Sequence, residues 1–219
     1  MITLYGVYRS RASRPLWLLG ECGAEFKHVP VIQSSRLDQP KATDAPLNTA
    51  SPAFLAINPL GQVPALTDEE LVLSESLAIT LYIARRFGGA FGPRSDAETA
   101  LMEQWALFAA TALEGPAREI LSTVESGGDA SAEGQSHIAL NAERLRRPLR
   151  RLQTLLAVSP YLVGDRFTVA DINTAECLRY AQKHPSLLAE FPAVHDWLDR
   201  CQSRPAFQAM WHRHEAEAD

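Results

Sequence analysis

The sequence predicts a two-part chain. An α/β unit of order β-α-β…β-β-α over residues 1–87 is followed by a linker at 88–94 and an all-α helical bundle over 95–219. Three observations carry this. Up to residue 87, short apolar runs alternate with Gly, Pro and Asn turn signals, as strands joined by turns do. Gly88-Gly-Ala-Phe-Gly-Pro93 is a Gly- and Pro-rich break that marks a unit boundary. Beyond it, Trp105, Phe108, Ala112 and Leu113 fall at helical spacing.

In the first unit, Ile2-Thr-Leu-Tyr5 reads as a strand ended by Gly6. Pro15 is tolerated only in a helix's first turn, so the helix carrying Leu16, Trp17, Leu18 and Leu19 starts near Ser10 to Ser13, and Gly23 ends it. Phe26 to Ile32 is a second strand, moved to an edge by Pro30. The polar, proline-containing stretch of nineteen residues from Gln33 to Ser51 is long for a connection and marks a binding loop or a mobile cover. Ser51 and Pro52 then open a short helix as cap and first residue.

Asn58-Pro-Leu-Gly61 reverses the chain before Val63-Pro-Ala-Leu66. An X-Pro bond is where cis is cheap, and a cis Val63-Pro64 holds the Val63 N–H and C=O toward an outside partner. Asp68-Glu-Glu70 turns the chain into a further strand, Leu71-Val-Leu73. Ser74 then caps a helix with Glu75 and Ser76 in its first turn and Arg85-Arg86 near its end. The start of that helix offers unpaired N–H groups, a positive dipole end and a hydroxyl, a seat for a small carboxylate.

In the second unit, Ser95 and Asp96 are cap residues. Gly115-Pro116 kinks or breaks the helix that follows, and Ile120-Leu121 resumes it. Ser126 to Gly134 is a flexible connection, and a second long helix runs from about Gln135 to Leu156 with a bend at Pro148. Thr168-Val-Ala-Asp171 has capping-box spacing, with Phe167 and Ile172 at staple positions. This is a folding device without chemistry. Phe191 to Leu198 and Ser203 to Phe207 complete the helices. His212 and His214 have no third ligand nearby, so a solvated tail is expected and no metal site.

Composition narrows the function classes. Apolar residues at 46% and charged residues at 21% are values of a soluble globular chain. No apolar run reaches membrane-spanning length, and Met1-Ile-Thr-Leu lacks the basic start of a signal peptide. Three widely spaced cysteines, Cys22, Cys177 and Cys201, argue against a disulfide framework or a zinc site and fit the reducing cytoplasm. The net charge is −5, with eight basic and eight acidic side chains up to Gly88 and thirteen against eighteen beyond it. An acidic second half gives no encouragement to nucleic acid. The basic cluster Arg144, Arg146, Arg147, Arg150 and Arg151 interleaves with leucines and reads as a solvated helix face.

Asn58-Pro-Leu-Gly-Gln-Val-Pro-Ala-Leu66, followed by Leu73-Ser-Glu-Ser-Leu-Ala-Ile79, resembles the glutathione site of the cytosolic glutathione transferases. The opening, Leu4-Tyr-Gly-Val-Tyr-Arg-Ser10-Arg-Ala-Ser-Arg14, is similar to the serine-type members of the theta and phi classes, where a serine precedes an arginine by four positions. Leu162-Val-Gly-Asp-Arg-Phe-Thr-Val-Ala-Asp-Ile172 resembles the helix-start signature of their C-terminal domain. The likeness spans nearly the whole chain, most strongly at 2–19, 58–83 and 161–172. It implies the glutathione transferase fold, with a thioredoxin-like first domain, and a two-fold homodimer.

It also implies roles. Glutathione is the cosubstrate, with no metal, and its thiolate attacks a small apolar electrophile. Ser10 donates to the thiolate, Val63, the residue before Pro64, pairs with the cysteinyl backbone, and Glu75 with Ser76 holds the γ-glutamyl end. Gln62 contacts the glycyl carboxylate. The electrophile's pocket falls to Tyr8, Trp105, Phe108 and Thr111, although core is an equal reading of the two aromatics on the helix. Read from the residues alone, Ser10 or Ser13 is a helix cap, and Ser13, Tyr8 and Tyr5 compete for the thiol. The missing cysteine at position 10 argues against a mixed-disulfide reductase, and Ser10-Arg-Ala12 lacks the Ser-Ser-Cys string of zeta-type isomerases. A glutathione-dependent isomerase, dehalogenase or peroxidase, or a non-catalytic glutathione-binding module, stays open as an alternative.

Overall fold

Alternation builds the first strand: Ile2 and Leu4 are fully buried while Thr3 and Tyr5 keep partial exposure. In the computed structural model, which describes residues 1–217, β1 (Thr3–Tyr5) pairs in parallel with β2 (Lys27–Val29). It pairs antiparallel with β3 (Ala65–Asp68), which in turn pairs antiparallel with β4 (Leu71–Leu73). The order is β2-β1-β3-β4, so the strand ahead of Pro30 lies at an edge. Between β1 and β2 runs α1 (Ser13–Cys22), ended by Gly23 in the left-handed conformation at φ 59°. The short α2 (Pro52–Leu55) and α3 (Ser76–Phe87) complete the β-α-β…β-β-α order. Trp17, Leu18, Leu19, Phe54, Ile79 and Ile83 fill the core.

Three local expectations change here. Ser74 does not cap α3; the helix begins at Ser76, and Glu75 holds the N-cap position with φ 66° and no side-chain cap bond. The chain turns into the helix through this left-handed residue, because Ser76 is pinned by the buried Arg14 guanidinium at 2.8 Å. Ser51 stands at the N-cap position of α2, but its hydroxyl is taken by the Asn48 N–H at 3.0 Å and makes no cap bond. The 33–51 connection is anchored rather than loose. Fully buried Asn48 donates to the Pro40 and Pro46 carbonyls at 2.9 and 2.8 Å and accepts the Ala50 N–H at 2.9 Å.

The helical unit starts at α4 (Asp96–Phe108), where Ser95 accepts the Glu98 N–H. Its helix passes through a π-helical stretch, Ala109–Glu114, into α5 (Gly115–Glu125). The wider turn absorbs Pro116 without a break in the helical path. α6 (Ala132–Leu156) begins three residues before the expected start because Ser131 caps it, accepting the Gly134 N–H at 3.1 Å, and it continues through Pro148. Leu145, Leu149 and Leu152 on α6 are fully buried. On its charged side Arg146 pairs with Glu143 and Glu190, and Arg151 lies 4.9 Å from the centroid of the Trp105 ring. α7 (Val169–Leu178) is buried along its whole length and opens on the complete Thr168/Asp171 capping box. α8 (Pro185–Ala189) and α9 (Pro192–Gln202) follow.

α10 (Pro205–Ala216) is a helix where a solvated tail was expected. It packs on α1: Trp17 meets Phe207 edge-on at 4.9 Å, and Gly20 lies against Ala206. Phe207, Trp211 and His214 stack along it, with Trp211 and His214 4.1 Å apart. The chain accordingly divides into Met1–Gly92 with the segment from Pro205, and Pro93–Arg204, whereas the sequence reading had placed everything after residue 95 in one unit. Among the described residues no helix is long and apolar enough to cross a membrane, and no cluster of three His, Cys, Asp or Glu side chains could hold a metal.

Candidate functional site

Within the first unit, three loops meet at the ends of β1, β3 and the start of α3. Gly6, at φ 140°, turns the chain out of β1; a Cβ there would lie 2.8 Å from the Ala12 Cβ and 3.4 Å from that of Val63. Only glycine lets the loop after β1 approach Val63 and Pro64 this closely. The Val63-Pro64 bond is cis. The turn before it is pinned by buried Asn58, whose Nδ2 donates to the Gln62 carbonyl at 2.8 Å and whose own carbonyl accepts the Gly61 N–H. Among the described residues, no hydrogen bond takes the Val63 N–H or C=O. The third approach is Arg14 on Ser76, which joins the first turn of α1 to the first turn of α3.

Ser10 lies between Gly6 and α1 and is half-buried. Its Oγ donates to the Val7 carbonyl at 2.7 Å and accepts the Ala12 N–H at 3.0 Å. Ser13, the competing serine, is fully buried as the first residue of α1. Of the two tyrosines, Tyr5 sits on β1 with its ring toward Phe54, and the Tyr8 hydroxyl accepts from Arg213 at 2.9 Å. Glu75 is exposed, and its neighbour Ser76 is buried with its oxygen on Arg14. Gln62 extends an exposed side chain beside Val63. Burial, helped by the Glu21 charge, pushes the Cys22 thiol up to about 11, so it stays protonated at neutral pH; Cys177 and Cys201 are buried.

The remaining expected residues lie in the helical unit. Trp105 is buried, meets Phe108 edge-on at 5.3 Å, and shares the Arg151 guanidinium with it. Thr111 is exposed on the π-helical stretch, its hydroxyl donating back to the Leu107 carbonyl at 2.8 Å. Sequence reasoning gave Asn58 a place only in the turn and Arg14 no role at all in holding the site, although both stand inside the motifs it singled out. The arginine four positions after Ser10, in the first turn of a helix of mostly apolar residues, was the available signal.

Comparison with known proteins agrees with this fold. The family model "Glutathione S-transferase, N-terminal domain" matches residues 1–85, and "Glutathione S-transferase, C-terminal domain" matches residues 118–205. The chain is 33% identical to glutathione S-transferase 3 of Zea mays, over 94% of this chain and 91% of that protein. The crystal structure of glutathione transferase F7 from Populus trichocarpa is similar at a TM-score of 0.80 and 30% identity, covering 98% of this chain and 99% of that one. A theta class glutathione S-transferase from Xanthomonas axonopodis pv. citri, solved with glutathione bound, superposes at 0.74 with 29% identity over 95% of each chain. With both family models matched in order along most of its length, on a sheet and helices arranged as in those structures, the chain belongs to the glutathione S-transferase family.

Proposed function

We propose that the chain is a glutathione transferase that joins the glutathione sulfur to a small apolar electrophile. The observation that carries this reading is the meeting of the Ser10 loop, the cis Val63-Pro64 turn and the Glu75-Ser76 helix start within one unit. A thiol of the cysteine type titrates near 8.5, so little is thiolate at neutral pH. Lowering that by about two units takes roughly 2.7 kcal/mol of preference for S⁻, within reach of one hydroxyl donor and helix N-terminal N–H groups. Ser10 supplies the hydroxyl by turning its hydrogen from the Val7 carbonyl to the sulfur, while the Ala12 N–H continues to hold its oxygen. The thiol proton leaves to water and the sulfur lone pair forms the new bond to the electrophilic atom; a leaving group departs with its electron pair where the electrophile carries one, and otherwise the electron pair of the π or ring bond that breaks takes up a proton from water.

Ser10 is preferred over Ser13 because Ser13 is sealed inside α1. The Val63 N–H and C=O suit an antiparallel pairing with the cysteinyl backbone. Glu75 and Ser76 suit the γ-glutamyl end, with the buried Arg14 cation behind Ser76 adding positive potential at the α3 N-terminus. Gln62 is assigned to the glycyl carboxylate, and Tyr8, Trp105, Phe108 and Thr111 to the electrophile. Residues 1–87 form the glutathione-binding domain and 88–94 the linker, and the helices from residue 95 form the second domain up to α10, which packs on α1 of the first, in a cytoplasmic homodimer without a metal. Exposed Leu107 on α4 and Leu140 on α6 support an apolar interface. A panel of electrophiles assayed with glutathione, beside binding to immobilised glutathione, tests the reading. Binding without turnover of any electrophile would leave a glutathione-binding module instead.

A further inference from the structure

The loop between β1 and Ser10 owes its shape to side chains outside it. His28 Nε2 sits 2.8 Å from the Gly6 carbonyl, and Gln33 Nε2 donates to the Arg9 carbonyl at 3.2 Å. Two of the three N–H groups between them, those of Tyr8 and Arg9, donate to the two oxygens of one carboxylate, Glu217, each at 2.8 Å. Arg9 Nη1 donates to the Glu217 carbonyl at 3.3 Å, and Arg213, one turn earlier on α10, donates to the Tyr8 hydroxyl. A carboxylate gripped by two successive N–H groups is a charge-assisted, two-point clamp.

A peptide unit is planar, so the Tyr8 N–H and the Val7 C=O turn together. Glu217 holds that N–H, and the Val7 C=O is the group on which the Ser10 hydroxyl rests. The next plane, Tyr8–Arg9, is held by the other oxygen of Glu217, and the Arg9–Ser10 plane by Gln33. The three planes leading into Ser10 are thus fixed, two of them by one residue some two hundred positions away. We infer that Glu217 is a positioning residue for the transfer reaction, fixing where the Ser10 side chain stands through the Val7–Tyr8 and Tyr8–Arg9 peptide planes. This rests on the reading of Ser10 as the thiolate donor.

The test is the thiolate absorbance of bound glutathione against pH in the full chain, with steady-state kinetics, for Glu217→Ala, Glu217→Gln, Ser10→Ala and the Ser10→Ala/Glu217→Ala pair. Glu217→Ala is expected to raise the apparent thiol pKa by about 0.5 or more, lowering the thiolate fraction near neutral pH and kcat about threefold, with the glutathione KM within about twofold. Glu217→Gln keeps one acceptor and the side-chain shape, so it falls between the wild type and Glu217→Ala and covers the case in which the alanine variant folds poorly. In the Ser10→Ala background, Glu217→Ala adds nothing, because the residue acts through that hydroxyl. A thiol pKa that stays put or falls in both Glu217 variants, or an undiminished effect without Ser10, overturns the inference. If Ser10→Ala itself leaves the thiol pKa unchanged, the reading of Ser10 fails and this one with it. If Ser10→Ala raises it and the Glu217 variants do not, the positioning role alone fails.

Discussion

Asp171→Ala should cost the helical unit about 3–5 kcal/mol at pH 5, and less at pH 7. The Asp171 carboxyl is fully buried; Oδ1 accepts from the Leu162 N–H at 3.0 Å and Trp197 Nε1 at 2.9 Å, and Oδ2 from the Thr168 N–H at 2.9 Å. With the Thr168 hydroxyl, which also donates to Oδ2 at 3.2 Å, removing it strands four buried donors, each worth about 1–3 kcal/mol and not fully additive. Burial pushes the Asp171 pKa up from 3.8 to about 6, against the opposing pull of Trp197, Leu162 and Thr168. A carboxyl whose folded pKa lies above its unfolded one stabilises most below pH 3.8, and that contribution is lost as pH rises to about 6. Between pH 5 and 7 the wild type therefore gives up about 1 kcal/mol that the alanine variant never had. Urea unfolding at both pH values, followed by tryptophan fluorescence, measures the gap. Equal stability of the two proteins would mean the capping box does no structural work. A gap that stays the same from pH 5 to pH 7 would mean the carboxyl is held ionised instead, with its folded pKa below 3.8.

Two further outcomes concern glutathione and assembly. Glu75→Ala should raise the glutathione KM about ten- to a hundredfold, with a smaller effect on kcat, since a charge-assisted contact to the amino end is lost and none to the sulfur. Calorimetric titration with unchanged glutathione affinity would remove Glu75 from the site. Light scattering at micromolar protein should give twice the chain mass of 24.1 kDa; a value at the chain mass would exclude the homodimer.

What the sequence made legible was what local chemistry decides. Gly23 ends α1, Ser95 caps α4 and Thr168 with Asp171 opens α7, each through bonds reaching no more than a few residues. The β-α-β…β-β-α element order and the edge place of β2 followed from prolines and short apolar runs. The start of α3 was not legible, because the left-handed turn at Glu75 depends on a buried arginine sixty-two positions before Ser76. The Ser131 cap of α6 was hidden by the glycines around it, which read as a flexible connection. Least legible was α10: its pairing with α1 through Trp17 and Phe207, and the Glu217 bonds to the Ser10 loop, join opposite ends of the chain with no periodicity to announce them. The motifs at Ser10, Val63 and Glu75 were visible as strings, whereas their meeting place needed Gly6 and Arg14, one too small and one too deeply buried to stand out.

That Ser10 lowers the pKa of the glutathione thiol is tested most directly by titrating the thiolate absorbance of the bound complex in the wild type, Ser10→Ala and Ser13→Ala. The half-buried Ser10 hydroxyl, held by Ala12 and free to turn from Val7, is the donor the sulfur loses in the first variant, whereas Ser13 is sealed in α1. The apparent pKa should rise toward about 8.5, that of a free thiol, in Ser10→Ala and stay at the wild-type value in Ser13→Ala. A rise in Ser13→Ala with none in Ser10→Ala would contradict the assignment.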